Sequence, residues 1–207
     1  MALPAPSLTS SDPRAMSSDD DARLMERIRD GDQEAFLRLV EKYQNELVGF
    51  FYHHCWNQGV AEELANDTFW NIYRSRERYQ PTAKLRTYLY RIAHNLWIDH
   101  VRRQKHHNVS LDAEVGGSTL RLLDVLATDD RVADLDPGRD AQLRTRIQQA
   151  VDALPQGQKD VFTMAIVHDM KYQDIGQVLG VPEGTVKSRM HSAVRFLRDE
   201  LQDLIES

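Results

Sequence analysis

The sequence predicts an all-α protein built from two small helical domains that are joined by a flexible acidic linker. Apolar residues recur every three to four positions through most of both halves, which is the spacing of amphipathic helices. No stretch alternates apolar and polar residues as a half-buried strand does. Between the halves, residues 108–139 are weakly patterned, acidic and interrupted by Gly and Pro.

Four helices are expected in the first domain, residues 19–107, which follows a disordered leader at residues 1–18. Breaks between the helices are predicted at Gly31-Asp32, at Gln58-Gly59 and at Pro81. The first helix is capped by Ser18 or Asp19, and the last one spans Thr87 to Gln104. Apolar stripes define these helices at Leu24 and Ile28; at Phe36, Leu39, Val40, Tyr43 and Leu47; at Val60, Leu64, Thr68, Phe69, Ile72 and Tyr73; and at Leu89, Ile92, Ala93, Leu96 and Val101.

The second domain is expected at residues 140–207 and ends in two helices joined by a tight turn. Its earlier stripes are Ile147, Ala150, Val151 and Leu154, then, after a break at Pro155, Val161, Phe162, Ala165 and Ile166. In the last pair of helices, Gly176 allows close approach and Gly180 permits the turn, while Val181 and Val186 fill the corner. Pro182-Glu183 suits the first turn of the next helix. This pattern is typical of a helix-turn-helix, whose second helix enters the DNA major groove.

The second of these helices is the candidate for reading duplex DNA. Its apolar residues fall on one side and leave short hydroxyl and basic side chains outside, which suits phosphate and base-edge contacts. The candidate residues are Thr185, Lys187, Ser188, Arg189, His191, Ser192 and Arg195. An ordinary amphipathic surface helix is the alternative, and the glycine spacing argues against it.

Two further segments admit a functional and a structural interpretation. Tyr88–His107 mixes aromatic and basic residues, which suits stacking and tracking of a single strand, but rings at helical spacing are just as typical of a core. The helix that carries Glu62, Glu63, Asn66, Asp67 and Asn71 has an acidic and amide-rich outer side. That side suits an arginine-bearing partner, although a solvated face is the default.

Bulk composition limits the classes of function. The chain has 207 residues, and 26 Lys+Arg against 32 Asp+Glu give a net charge of −6, so bulk charge alone does not explain DNA binding. Cys55 is the single cysteine, which excludes an internal disulfide. Adjacent side chains such as His53 and His54 point in different directions from a helix, so we expect no metal, no cofactor and no enzymatic site. Without a signal peptide or a long apolar run, a cytoplasmic protein is expected.

Four segments in order resemble a bacterial RNA polymerase sigma factor of the extracytoplasmic-function (ECF) group. They are Gly31-Asp-Gln-Glu-Ala-Phe36, Ala61-Glu-Glu-Leu-Ala-Asn-Asp-Thr-Phe69, Tyr88-Leu-Tyr-Arg-Ile-Ala-His-Asn95 with the Asp99 and Arg102-Arg103 that follow, and Leu154-Pro through Leu197. The resemblance covers nearly everything from about Asp20 to the end. It implies sigma region 2 at residues 19–107 and sigma region 4 at residues 140–207.

The resemblance also implies partners and site residues. Core RNA polymerase, through its β and β′ subunits, is expected to bind the segment Ala61–Tyr73, with contacts at Glu63, Asn66, Asp67, Phe69 and Tyr73. Promoter DNA opened near the start site is expected on Lys84, Arg86, Tyr88, Arg91, Asn95, Asp99, Arg102 and Arg103. The C-terminal helix-turn-helix is expected to read a duplex element farther upstream. An anti-sigma factor is the expected regulator, in a stress or envelope response.

Three residues depart from the usual pattern of the family. Leu85 stands where an aromatic is frequent, Ser192 where a basic residue often touches DNA, and Gly176 where alanine is usual. In a helix, glycine costs about 1 kcal/mol relative to alanine. A stand-alone helix-turn-helix regulator is the alternative function, and an enzyme acting on nucleic acid through the histidine-rich segments is a weaker one.

Overall fold

The computed structural model describes residues 18–79, 84–104 and 137–202 of the chain. Within these ranges all regular structure is helical, which confirms the predicted fold class. The predicted leader, apart from Ser18, and the predicted linker, apart from its last three residues, lie outside the described residues. The boundaries of the two domains therefore stay a prediction.

The N-terminal half consists of four helices in the described residues. They are α1 (Ser18–Arg29), α2 (Gln33–Cys55), α3 (Gln58–Ser75) with a 3₁₀ turn at Arg76–Arg78, and α4 (Leu85–Gln104). The long helix α2 packs against α1 and α3, and α3 packs against α4. Most residues of the predicted apolar stripes form the core, and Ile28, Leu39, Leu47, Ile72 and Leu89 are fully buried. Leu96 of α4, which the helical period predicts to be buried, is only partly buried.

Short side-chain caps set the helix boundaries in this half. Gly31 takes a φ of +90°, and the carboxylate of Asp32 accepts the backbone N–H of Ala35 at 3.1 Å, which begins α2. Trp56 ends α2 in the left-handed conformation, and the side chain of Asn57 accepts the N–H of Val60 at 3.0 Å. The predicted break at Gln58-Gly59 is therefore wrong by two residues, because the cap at Asn57 places Gln58 inside α3.

Four helices and a π-helical turn make up the described C-terminal half. They are α5 (Pro137–Asp152), α6 (Gln156–Phe162), the π-helical turn (Thr163–Val167), α7 (Tyr172–Leu179) and α8 (Glu183–Glu200). Pro155 and Pro182 stand immediately before α6 and α8, where the missing N–H costs no helical hydrogen bond. The buried residues Val161, Phe162, Ile175 and Leu197 belong to the core of this half.

The turn between α7 and α8 has the geometry that the glycines predict. Gly180 takes a φ of +66° and donates its N–H to the carbonyl of Gly176, which ends α7 in a left-handed cap. A Cβ on Gly176 would lie 2.8 Å from the carbonyl oxygen of Val181. Alanine at this position would force the turn to shift, and this close approach outweighs the lower helix propensity of glycine.

The two halves pack against each other. Helix α4 lies against α7, and α2 contacts the π-helical turn. The buried apolar residues of both halves consequently form one continuous core. No helix in the described ranges combines the length and the apolar composition that a membrane span needs.

Candidate nucleic-acid interface

One exposed side of α4 carries most of the residues predicted to bind an opened DNA strand. At 100° per residue, Tyr88, Arg91, Asn95, Asp99 and Arg102 fall within about 80° of one another. Arg91, Asn95, Asp99 and Arg102 are exposed, and Tyr88 is partly buried. The adjacent Arg103 is also exposed. We call this side the strand face.

Contacts among these residues hold the start of the strand face in place. The hydroxyl of Tyr88 lies 3.1 Å from the Ser75 hydroxyl of α3, and the ring of Tyr79 packs 5.1 Å away, edge to face. The guanidinium of Arg91 sits 5.8 Å from the centre of the Tyr88 ring. An aromatic ring with a cation beside it is the combination that stacks a base and neutralises its phosphate. Asn95, one helical turn farther on, is left open to solvent.

Arg86 and Lys84 lie apart from the rest of the predicted strand-binding set. Arg86 points from the opposite side of α4, where it pairs with Glu46 of α2 and donates to the backbone carbonyl of His168 in the C-terminal half. Lys84 precedes α4 and forms a 2.9 Å ion pair with Asp174 of α7. In this arrangement both cations therefore serve contacts within the protein.

Helix α8 presents the residues predicted to read duplex DNA. Val186, Met190, Ala193 and Leu197 are buried, as the helical period predicts. The residues opposite them are exposed or partly exposed: Thr185, Lys187, Ser188, Arg189, His191, Ser192 and Arg195.

Two of the α8 side chains are already engaged locally. Lys187 pairs with Glu183 at 2.7 Å, and the hydroxyl of Ser188 donates to the Thr185 carbonyl at 3.0 Å. A third, Arg189, lies over Gly157 of α6, where an added Cβ would meet its guanidinium at 3.2 Å.

The predicted polymerase-binding residues do not all share one surface. Glu63, Asn66 and Asp67 are exposed on α3, and Tyr73 is partly buried between Phe36 and Arg76. By contrast, Phe69 is only 3% exposed and belongs to the core.

Sequence reasoning missed Trp70, which is 56% exposed on the same side of α3 as Glu63 and Asp67. Leu37 of α2 is the other large apolar side chain that is exposed in the described residues, at 60%. A tryptophan at an outward position of an amphipathic helix is a signal that the sequence does contain, because aromatic anchors are enriched in protein interfaces.

A buried group of histidines lies between the two halves, and sequence reasoning did not find it. We call it the histidine cluster; it consists of His53 and His54 of α2, His94 of α4, His168 of the C-terminal half, and Asp160 of α6 at its centre. The Nε2 atoms of His54 and His94 each lie 3.1 Å from one oxygen of Asp160.

Further polar contacts cross the same interface. The indole N–H of Trp56 donates to Asp152 at 2.8 Å, and the ammonium of Lys159 donates to the backbone carbonyl of His54 at 3.2 Å. Lys159 also pairs with Asp152 at 2.6 Å. The interface therefore places charged groups in pairs, as burial requires.

Hydrogen bonds from two histidines keep the carboxyl of Asp160 ionised although it is buried. Burial alone would raise the pKa of Asp160, but hydrogen bonds from His54 and His94 and their positive charges hold it well below its usual range. The Nδ1 atom of His54 lies 2.8 Å from the Phe50 carbonyl oxygen, so both of its ring nitrogens face acceptors.

The other two histidines are held neutral. Burial, followed by the charges of His54 and Lys159, lowers the pKa of His53 to about 4. Burial, followed by the charges of His53 and Arg86, lowers the pKa of His168 well below its usual range. Because the Nε2 atom of His168 is buried without a hydrogen-bond partner, its ring lies in an environment that disfavours a proton.

No group of three metal-ligating side chains converges anywhere in the described part of the chain. The histidines that are adjacent in sequence diverge: His54 faces Asp160, while the ring of His53 packs against Trp56 and His168.

Comparison with known proteins relates both halves to a single family. The family model of Sigma-70 region 2 matches residues 39–107, and that of Sigma-70 region 4 matches residues 144–197. The ECF RNA polymerase sigma factor SigW of Bacillus subtilis is 32% identical, over 88% of this chain and 97% of SigW. The RNA polymerase sigma-H factor of Pseudomonas aeruginosa is 27% identical, over 92% of this chain and 98% of that protein.

Two solved structures share the fold. CnrH, in complex with the cytosolic domain of CnrY, gives a TM-score of 0.65 at 20% identity, covering 88% of this chain and 97% of CnrH. The sigma factor RpoE of Bartonella quintana, in complex with the anti-sigma factor NepR, gives a TM-score of 0.60 at 18% identity, covering 81% and 96% of the two chains.

A helical protein that carries both Sigma-70 regions in this order is an RNA polymerase sigma factor, a subunit that directs transcription initiation. The similarity to SigW over nearly the full length of both proteins shows that the chain belongs to the ECF group of these factors. The matches in both halves do not favour a stand-alone helix-turn-helix regulator.

Proposed function

We propose that this sigma factor divides promoter recognition between α4 and α8 and is held on core polymerase by α3. The strand face captures the opened strand near the start site, with Asn95 gripping a flipped base through its amide donor and acceptor. Helix α8 reads a duplex element farther upstream from the major groove.

The observation that carries this proposal is the strand face itself. Tyr88, Arg91 and Asn95 combine a ring, a cation and an amide next to each other on one side of one helix, where Arg91 and Asn95 are exposed and Tyr88 is partly exposed. A face that served only to complete the core would bury these side chains. Arg102 and Arg103 extend the positive charge toward the end of α4, although Arg102 also lies 3.4 Å from Asp99.

Polymerase binding is assigned to the exposed side of α3. Glu63, Asn66 and Asp67 offer acceptors to basic side chains, and Trp70 supplies an apolar anchor among them. A net charge of −6 fits a subunit whose DNA affinity comes mostly from its polymerase partner. Strand opening then needs only binding energy, so we assign no enzymatic activity to this chain.

An anti-sigma factor is the proposed regulator, because the two structures that share the fold hold a partner of that kind or the cytosolic domain of another protein. We propose that the chain acts in the cytoplasm, where polymerase and promoter DNA lie, and that it serves a stress or envelope response.

Run-off transcription with purified core polymerase tests the proposal. The chain is added to core enzyme on a library of genomic fragments, and transcripts are mapped. We expect promoter-specific transcripts that require both proteins, together with a gel shift of promoter DNA that requires core enzyme. A tight gel shift without core enzyme, and no specific transcript with it, would contradict the proposal.

A further inference from the structure

Four histidines of this chain meet at the boundary between its two halves, and each half contributes. His53 and His54 come from α2, His94 from α4, and His168 from the segment between the π-helical turn and α7. All four are buried or nearly so, with side chains that contact one another or Asp160. Histidine is the side chain that changes charge between about pH 5 and pH 8, so this boundary is sensitive to protons.

His168 is inserted between elements of the N-terminal half. Its ring centre lies 5.9 Å from that of Phe50, 5.3 Å from that of Tyr90 and 6.4 Å from that of His53. It is 7% exposed, and its unpartnered Nε2 atom faces no acceptor that would stabilise a proton. Protonating the His168 ring therefore costs free energy while the two halves are packed together. The cost is removed when the halves separate and water reaches the ring.

The charged groups around His168 reinforce this preference. On α4, the guanidinium of Arg86 donates to the backbone carbonyl of His168 and also pairs with Glu46 of α2. On α2, both ring nitrogens of His54 lie within hydrogen-bond distance of an oxygen atom, and the ammonium of Lys159 on α6 donates to the backbone carbonyl of His54.

Further titratable groups line the same interface. They are Tyr90 and His94 of α4, Asp160 of α6 and, next to Lys159, Asp152 of α5. Asp160 and Asp152 are already engaged by His54, His94 and Lys159, so neither of these two carboxylates is left to neutralise an imidazolium at His168.

We propose that the histidine cluster is an acid-released latch, which holds the two halves together near neutral pH and lets them separate when His53 and His168 gain protons. Opening exposes both rings to water, where histidine takes up a proton at about pH 6.5. Asp160 stays ionised throughout this range, because, despite its burial, hydrogen bonds from the neighbouring histidines hold its pKa well below the usual value.

The sign of the effect follows from these two rings. Both are neutral in the closed arrangement, and both are charged in the open one below about pH 6.5, so opening takes up two protons. The open-to-closed ratio then rises as the pH falls below about 6.5, and the rise approaches about a hundredfold per pH unit near pH 5, before it levels off toward the lowered pKa of His53 at about 4.

Separation has a consequence that rests on the proposed function. It frees Lys84 from Asp174, and it lets α4 and α8 reach separate promoter segments instead of remaining in one body. Acidification of the cell interior is then a signal that this sigma factor senses directly.

The distance between the halves measures the latch without polymerase or DNA. The full chain carries a donor and an acceptor dye at cysteines replacing the exposed residues Glu26 of α1 and Glu200 of α8, in a Cys55→Ser background. Energy transfer is recorded from pH 7.5 to pH 4.5, and helix content is followed by circular dichroism on the same samples.

We expect energy transfer to fall on acidification with an apparent slope of about two protons, while helix content is retained. His168→Phe keeps an aromatic ring in the pocket but cannot be protonated, so it should reduce the slope to about one proton and move the midpoint to lower pH. Glu41→Gln, which removes a titratable group at an exposed position of α2 outside the cluster, is the control and should behave as wild type.

Three results would overturn the inference. They are energy transfer that does not change across the range, loss of helix content at the same midpoint as the loss of transfer, and a His168→Phe profile identical to that of wild type. If His168→Phe does not fold, His53→Phe makes the same prediction for the slope. Because the assay contains neither polymerase nor promoter, its failure is distinct from a wild-type holoenzyme that makes no specific transcript, which would contradict the proposed function.

Discussion

The two helices assigned to DNA, α4 and α8, differ in how many surfaces they serve. Helix α8 buries one side within its own half and leaves the other side exposed, so the spacing of its apolar residues is enough to predict both sides. Helix α4 has three surfaces. One packs in the core of the N-terminal half, one is the strand face, and one contacts α7 and α6. Residues that look alike in sequence, such as Arg86 and Arg91, therefore have different surroundings.

This difference decides what the sequence can predict. The stripe of α8 and the turn at Gly180 follow from local period and backbone geometry, and the structure confirms them. The resemblance led to Asn95, and the structure leaves its side chain accessible. Asp160 could not be found in this way, because its partners His54 and His94 are 106 and 66 residues away and no local pattern marks the pairing.

Asp160→Ala should have the largest effect, because it removes the contact of α4 with α6 in the C-terminal half. The variant leaves His54 and His94 buried without their acceptor, which should lower the free energy of unfolding by about 3 kcal/mol. Urea denaturation measures the change. Asp199→Ala, at an exposed position of α8, removes the same charge and should stay within about 0.5 kcal/mol of wild type. A loss at Asp160 as small as that of the control would show that the interface between the halves adds nothing.

Gly176→Ala should disturb the turn that positions α8 against α7. Its Cβ would meet the Val181 carbonyl at 2.8 Å, so the turn must shift, and we expect a loss of about 2 kcal/mol and weaker promoter binding by holoenzyme. Gly184→Ala is the matched control, because no atom lies within 4 Å of its added Cβ and alanine favours a helix. Equal stability of the two variants would mean that the close approach at Gly176 is not required.

Trp70→Ala tests whether the exposed side of α3 binds core polymerase. Loss of an exposed aromatic anchor should weaken the affinity for core polymerase about tenfold, with little change in thermal stability because the side chain is not in the core. Trp70→Phe should recover part of the affinity. Binding is measured by fluorescence anisotropy of labelled chain with purified core enzyme, and unchanged affinity in Trp70→Ala would remove this residue from the interface.

The strand face makes the smallest and most specific prediction, at Asn95. Asn95→Ala should reduce open-complex formation about tenfold, since a paired amide contact to a base contributes about 1–3 kcal/mol. Asn45→Ala, an exposed amide on α2, is the control and should leave opening unchanged.

The most direct test of the account measures opening and polymerase binding side by side for Asn95→Ala. Permanganate reactivity of unpaired thymines reports the open complex, and anisotropy reports the affinity for core polymerase. We expect reduced reactivity with an affinity close to that of wild type, because Asn95 lies on the strand face and not on α3. Equal loss of both, or full reactivity in the variant, would contradict the division of work between these two helices.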